Sequence, residues 1–396
     1  MNTASTILLL FLCSLSSALM GADAPVPERI KPDRFGIIFN KGYGGDNLPE
    51  DSVEFEKLIV GIKKANFNVI MCKYDAKRLE ICAQHNVQMM VDMLVGEHHI
   101  YKNPDKAKEI CETIKDSKAV YGYHLWSDTM GKSYDGRTRD VHNVHQWDPH
   151  HAAYVGDYKM TGVGRVKGMD LFGYYDFSFK RGGHWRHLNQ AWSVAKANNI
   201  GFLRYEDATP GLVGKGNPNR VGYSIATSIL YGLRGYMFHY AGGQMDFKTF
   251  ELDALGQDLA RANERFAAVG PEVIKLGIPT AVYSTPITKD VKNHLVLNGP
   301  TITDGHTPIP ADHWFQISSG EVLVSEAADA EKRAVLVCAC HNPYENQKVV
   351  ITFPQGVKDV ELFDRTGKQW RPIALGKGEV SFTVEDFGVE LVRVQR

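Results

Sequence analysis

From residue 35 to about 270 the apolar positions of the chain switch repeatedly between two periods. Runs of adjacent apolar residues at 35–40, 68–74, 87–94, 120–126, 150–155, 169–175, 200–205 and 235–240 read as buried strands. Between them, apolar residues three and four apart predict amphipathic helices at 52–65, 76–85, 105–117, 187–197, 221–231 and 250–269. In the first of these, Phe55, Leu58, Ile59 and Ile62 fall on one helical face. The period blurs between 130 and 170, where only the strand at 150–155 stands out. Eight strands with intervening helices over about 235 residues have the size and rhythm of a closed parallel barrel. A doubly wound open sheet is the alternative, but no glycine-rich phosphate loop follows any strand. The expected class is α/β, a (β/α)8 TIM barrel.

Beyond this region the pattern changes to short strands separated by turn residues, at 278–285, 294–297, 321–324, 334–340, 348–353, 360–363, 380–384 and 389–394. Such spacing predicts a small all-β antiparallel sandwich. Gly270-Pro271 marks the seam, which gives a barrel over 30–272 and a β domain over 276–396. At the other end, the apolar run 7–15 is followed by Ser16, Ser17, Ala18, Gly21 and Ala22. It is too short to span a bilayer and has the form of a signal segment over 1–22, cut after Ala22, although no Lys or Arg precedes it. The expectation is an exported protein, periplasmic or secreted, with no membrane segment after cleavage.

Composition narrows the partners. The chain has 396 residues, with 45 Lys and Arg against 46 Asp and Glu. That balance argues against nucleic acid, whose binding needs a basic face. Once Cys13 leaves with the leader, Cys72, Cys82, Cys111, Cys338 and Cys340 remain, an odd set that forms no disulfide framework. Cys338 and Cys340, two apart in a strand, share one face as small core residues.

In a barrel of this kind chemistry sits just past the C-terminal ends of the strands. Those positions hold Asn40 and Lys41, then Lys73, Tyr74 and Asp75, then Asp92 with Glu97, His98 and His99. They continue with Trp126 and Asp128, Asp157, then Tyr174, Tyr175 and Asp176. Arg204, Tyr205, Glu206 and Asp207 follow, and last His239 and Tyr240. Aromatic rings beside carboxylates suit sugars, whose C–H faces stack while their hydroxyls bond to charged groups.

The segment Tyr121-Gly-Tyr-His-Leu-Trp126-Ser-Asp128 resembles the fourth strand of glycosidase-like barrels related to the β-galactosidase and cellulase superfamily. There the segment usually reads Gly-Tyr-x-Leu-Trp-Asp-Glu-Pro. The likeness continues through Met169-Asp-Leu-Phe-Gly-Tyr-Tyr175, residues 224–235 and the β domain, and so covers most of the mature chain in layout and short phrases. It implies a glycoside hydrolase without cofactor or bound metal, acting on carbohydrate through two carboxylates. The departure is Ser127-Asp128-Thr129, which puts Asp128, one methylene shorter, where the acid/base Glu is expected. A misplacement of about one ångström is costly in catalysis.

The nucleophile or base implied by the resemblance is Glu206, which would share a strand face with Arg204 and be held ionised by it. Substrate contacts are expected from Asn40, Lys73, Trp126, Tyr174, Tyr175, Asp176, Arg204, Asp207, His239 and Tyr240. Lys180, Arg181 and Arg186 add a basic patch suited to an anionic or sulfated sugar. Two rival readings stand beside this one. His142, His145, His150 and His151 with Asp148 suggest a metal-dependent hydrolase, and the altered acid suggests a carbohydrate-binding barrel that lost catalysis.

Overall fold

The computed structural model describes residues 29–41, 47–127, 133–156, 160–175, 184–206, 218–238, 244–286 and 307–396. Strands β1 (Gly36–Phe39), β2 (Val69–Cys72), β3 (Gln88–Asp92), β4 (Val120–Trp126), β5 (Ala152–Gly156), β6 (Leu171–Tyr175), β7 (Gly201–Glu206) and β8 (Leu233–Phe238) close into one parallel barrel in sequence order. Around it lie α1 (Ser52–Lys64), α2 (Ala76–Gln84), α3 (Pro104–Ile114), α4 (Tyr134–Trp147), the single turn α5 (Met160–Val163), α6 (His184–Asn198), α7 (Pro218–Ile229) and α8 (Ala254–Val273). The expected TIM barrel is therefore present.

Local chemistry sets the helix ends. Asp51, Asp75, Asn103, Ser133 and Asp253 each accept a backbone N–H from the first turn of α1, α2, α3, α4 and α8. Asn66, Asn86 and Asn199 follow α1, α2 and α6 with φ of 60°, 52° and 50°, a left-handed turn that Asn tolerates better than most residues. Two helices depart from the sequence pattern. Helix α4 was hidden because its buried positions include Arg137, Asp140 and His145 instead of apolar residues alone. Helix α8 runs through Gly270-Pro271 to Val273. A Cβ on Gly270 would stand 2.6 Å from Cβ of Phe35 in the chain leading into β1, a close approach that only glycine allows.

The barrel wall has two faces. Ile38, Val69, Met71, Met90, Tyr121, Tyr154, Leu171, Leu203, Tyr205 and Met237 form the lumen cluster. The alternate residues, among them Ile37, Ile70, Met89, Phe172, Phe202 and Tyr236, join the larger core under the helices. Strand β4 breaks this alternation. Its pairing with β3 slips between Val120 and Gly122, and its pairing with β5 slips between His124 and Trp126. A Cβ on Gly122 would meet the Ala152 carbonyl oxygen at 2.5 Å, so the first bulge requires glycine.

The C-terminal region is all β. A seven-stranded sheet has the order β10 (Thr307–Pro308), β9 (Ala281–Ser284), β12 (Val322–Ala328), β13 (Ala334–Cys340), β18 (Val389–Gln395), β15 (Asp359–Asp364), β16 (Gln369–Pro372). A three-stranded sheet runs β11 (Gln316–Ser319), β14 (Gln347–Thr352), β17 (Glu379–Val384). On β13, Leu336, Cys338 and Cys340 face the sandwich core while Val335, Val337 and Ala339 join the barrel core. The large sheet is thus buried on both faces. The expected strand at 294–297 lies outside the described residues. β11 and β16 went unread because they are edge strands of polar sequence, Gln-Ile-Ser-Ser and Gln-Trp-Arg-Pro.

Candidate active site

The lumen turns polar in its C-terminal half. Asp92 ends β3 and lies in register with His124 of β4, which in turn pairs with Tyr154 of β5. His124 Nδ1 is 3.1 Å from Asp92 Oδ1, and the same oxygen accepts the Leu94 N–H at 3.1 Å. Across the lumen, Tyr205 Oη of β7 stands 3.5 Å from His124 Nε2. The Tyr154 ring lies 5.3 Å from that of His124 and 6.5 Å from that of Tyr205. Space for it comes from β6, since a Cβ on Gly173 would stand 1.6 Å from the Tyr154 hydroxyl. All four side chains belong to residues at most 4% exposed. An ionised carboxylate only accepts, so Nδ1 carries the proton and Nε2 is left as an acceptor toward the phenol.

On the other face of β7 a second polar group fills the gap between the wall and α6 and α7. Arg204 Nε is 2.5 Å from Glu206 Oε1, and Ser224 Oγ of α7 donates to the same oxygen. Arg204 Nη1 donates to Tyr174 Oη at 3.2 Å, to Ser228 Oγ at 2.8 Å and to His184 Nδ1 at 3.2 Å. Because a guanidinium only donates, Nδ1 of His184 accepts, and its Nε2–H donates to Thr227 Oγ1 at 3.0 Å. Arg204 and Glu206 are 0% and 3% exposed. The carboxylate that the sequence nominates as nucleophile therefore faces the helix layer, whereas its neighbour Tyr205 faces the lumen.

The histidine segment resolves into separate pairs. His145 Nε2 bonds Asp170 Oδ2 at 2.7 Å, His151 Nδ1 bonds Asp148 Oδ2 at 2.7 Å, and His142 contacts Gln146. Burial opposes ionisation of Asp148, but hydrogen bonds from His151, Tyr123 and the His150 N–H outweigh it and hold the carboxyl below its usual range. Among the described residues no group of three His, Cys, Asp or Glu is arranged to hold a metal ion.

Of the expected site residues, Asp128, Asp176, Asp207, His239 and Tyr240 lie outside the described residues, as does the side chain of Tyr175. Tyr174, Arg204 and Glu206 are brought together in the outer-face network. Trp126 is fully buried, stacked on Tyr101 at 5.6 Å with the Arg137 guanidinium 5.4 Å from its ring. Asn40, the residue after β1, is 4% exposed, and Lys73 makes a 3.8 Å ion pair with Glu50. Sequence reasoning named Asp92 and Tyr205 at strand ends without giving them a catalytic or substrate role, and it passed over His124 and Tyr154. The available signal was a polar residue inside an otherwise apolar strand, His124 in Tyr-Gly-Tyr-His-Leu-Trp and Asp92 after Met-Met-Val.

The sequence matches no protein-family model and no curated protein. Among solved structures, the fold is similar to an α-amylase from Geobacillus thermoleovorans complexed with acarbose, at 11% identity over 93% of this chain and 100% of that chain, with a TM-score of 0.50. A putative α-galactosidase from Bacteroides fragilis has 7% identity over 92% of this chain and 79% of its own, with a TM-score of 0.48. An endo-1,4-beta-mannanase from Rhizomucor miehei has 10% identity over 62% of this chain and 98% of its own, with a TM-score of 0.44. These structural neighbours are glycoside hydrolases, and at such identity what the α-amylase shares with this chain is its architecture.

Proposed function

We propose that the protein is an exported glycoside hydrolase acting at the C-terminal mouth of its barrel. The observation that carries this reading is the change of the lumen from apolar at its base to Asp92, His124, Tyr154 and Tyr205 toward the strand ends, where barrel enzymes do their chemistry. Asp128, following β4, is the proton donor to the glycosidic oxygen. Glu206, paired with Arg204 and turned to α7, acts by fixing the end of β7. The substrate is a carbohydrate, and Arg186 with the preceding Lys180 and Arg181 suits an anionic one.

The test is hydrolysis across a glycan panel by wild type, Asp128→Asn and Glu206→Gln. Wild type is expected to cleave at least one glycan, and Asp128→Asn to lose about 100-fold or more in kcat, the usual worth of a positioned acid. If wild type binds a glycan but cleaves none, the protein is a binding barrel and the hydrolase reading fails. If Glu206→Gln abolishes cleavage while leaving stability untouched, Glu206 is a reacting group and its assignment as an anchor fails.

A further inference from the structure

We propose that the N-terminal end of the barrel carries a second binding site, for one small uncharged polyhydroxyl molecule of monosaccharide size. The site lies at the opposite end from the C-terminal mouth and does not depend on the glycosidase reading. A cavity of about 330 Å³ opens there. Its wall is made by the segment 30–33 leading into β1, the turn 115–118 after α3, His150 and His151 after α4, and the first residues of β3, β4 and β5. Ligand pockets run from roughly 300 to 1,000 Å³, so this one suits a molecule no larger than a single sugar unit.

The chemistry of the wall selects the ligand. Gln88 and Tyr121 line the cavity and are 2% and 3% exposed. Among the described residues, neither Gln88 Oε1 nor Tyr121 Oη has a hydrogen-bond partner. Buried polar atoms are rarely left in that state, because each has given up its bonds to water. The Gln88 amide is oriented by its nitrogen, which donates to the Lys118 carbonyl at 3.0 Å and to the two Asp33 carboxylate oxygens at 3.2 and 3.1 Å. Its oxygen is therefore an acceptor in want of a donor. His151 supplies a second acceptor, since Nδ1 donates to ionised Asp148 at 2.7 Å and Nε2 of the neutral ring keeps its lone pair. Burial, with Asp33 adding to it, raises the Tyr121 phenol above its usual range, so Tyr121 stays a hydroxyl. A simple anion such as sulfate brings no donor to these acceptors. A cationic amine would meet the ammonium groups of Lys31, Lys115 and Lys118, which also line the cavity. A neutral molecule whose hydroxyls both donate and accept satisfies every one of these groups.

The test titrates the full chain, 15N-labelled at histidine, with glucose, galactose and mannose by NMR. At least one sugar is expected to move the His151 Nε2 signal in a saturable way. Tyr121→Phe removes a hydroxyl that bonds to no described residue, so its unfolding midpoint should match or exceed that of wild type. Its affinity for the same sugar should nevertheless fall about tenfold, the worth of one hydrogen bond. A packing role for Tyr121 would not separate the two readouts. The 2-amino counterpart of the binding sugar should bind at least about tenfold more weakly, and sulfate should leave the His151 signal in place. If no sugar moves His151, or if Tyr121→Phe binds as wild type does, the proposal is overturned. If sulfate or the amino sugar binds as well as the neutral one, the assigned ligand class is overturned. Hydrolysis of glycans bears only on the C-terminal mouth, so a wild type that cleaves none but keeps the His151 response sinks the glycosidase reading and leaves this site standing.

Discussion

Glu390 offers a test of the β domain that can be worked through in numbers. It sits on β18 beside Cys338 of β13, 5% exposed, with Arg365 Nη2 3.1 Å away. Burial is the main cause that lifts its carboxyl from 4.5 to about 7; Arg365 opposes the rise and Glu385 adds to it. A folded-state value above the unfolded one means that the folded chain holds the proton longer. Stability from this group is therefore complete below pH 4.5, falls as pH rises toward 7, and stays lowered above that. At about 1.4 kcal/mol per pH unit the loss is about 3 kcal/mol. Glu390→Gln copies the protonated shape and cannot ionise. By denaturant unfolding of the full chain, the variant should equal wild type at pH 4 and exceed it by about 3 kcal/mol at pH 8. Parallel stability curves for the two proteins across that range would refute the argument, because they would mean that Glu390 ionises as easily folded as unfolded.

Three further outcomes follow from the packing. Gly173→Ala puts a Cβ 1.6 Å from the Tyr154 hydroxyl, so the ring must leave its place, at a cost of about 3 kcal/mol in denaturant unfolding. Tyr154→Phe alone should be mild by comparison. Glu206→Gln leaves the buried Arg204 guanidinium without its carboxylate and should destabilise by about 3–5 kcal/mol, where a purely catalytic carboxylate would leave the unfolding midpoint unmoved. Phe387 packs on Gly222 of α7 under the Arg265 guanidinium, 4.4 Å from its ring. Phe387→Ala should cost about 3–5 kcal/mol and split unfolding into separate barrel and β-domain transitions, seen as a second step in the denaturant curve.

The barrel was legible because its strands are buried on both faces. Each is then a continuous apolar run, and the expected bounds of all eight fall within a few residues of those observed. Legibility failed where burial and hydrophobicity part company. In α4 the helical period is present, but Arg137, Asp140 and His145 carry much of it: Arg137 lies against Trp126 and Tyr134, and His145 binds Asp170. On β16 the reverse holds, since an edge strand with one covered face needs few apolar residues. Pro271 does not end α8, because packing of Val269, Gly270 and Val273 outweighs one lost helical bond in the last turn.

The candidate site was legible as a layer but not as a face. Position past a strand end is fixed by strand length, which the sequence carries. Which of two successive residues enters the lumen is fixed by phase, and phase is decided by the partners available on the outer side. On β7, Ser224, Ser228 and His184 form a buried polar cradle that Arg204 and Glu206 fill, so these two turn outward and Tyr205 turns in. On β4 the phase is reset by a bulge whose sole sequence mark is Gly122. On β7 the lumen thus receives Tyr205, beside the residues that end-of-strand reasoning selects, and on β4 it receives His124, two residues before Trp126. The two shifts meet at His124 and Tyr205, which is why the polar line in the lumen joins residues that no single motif contains.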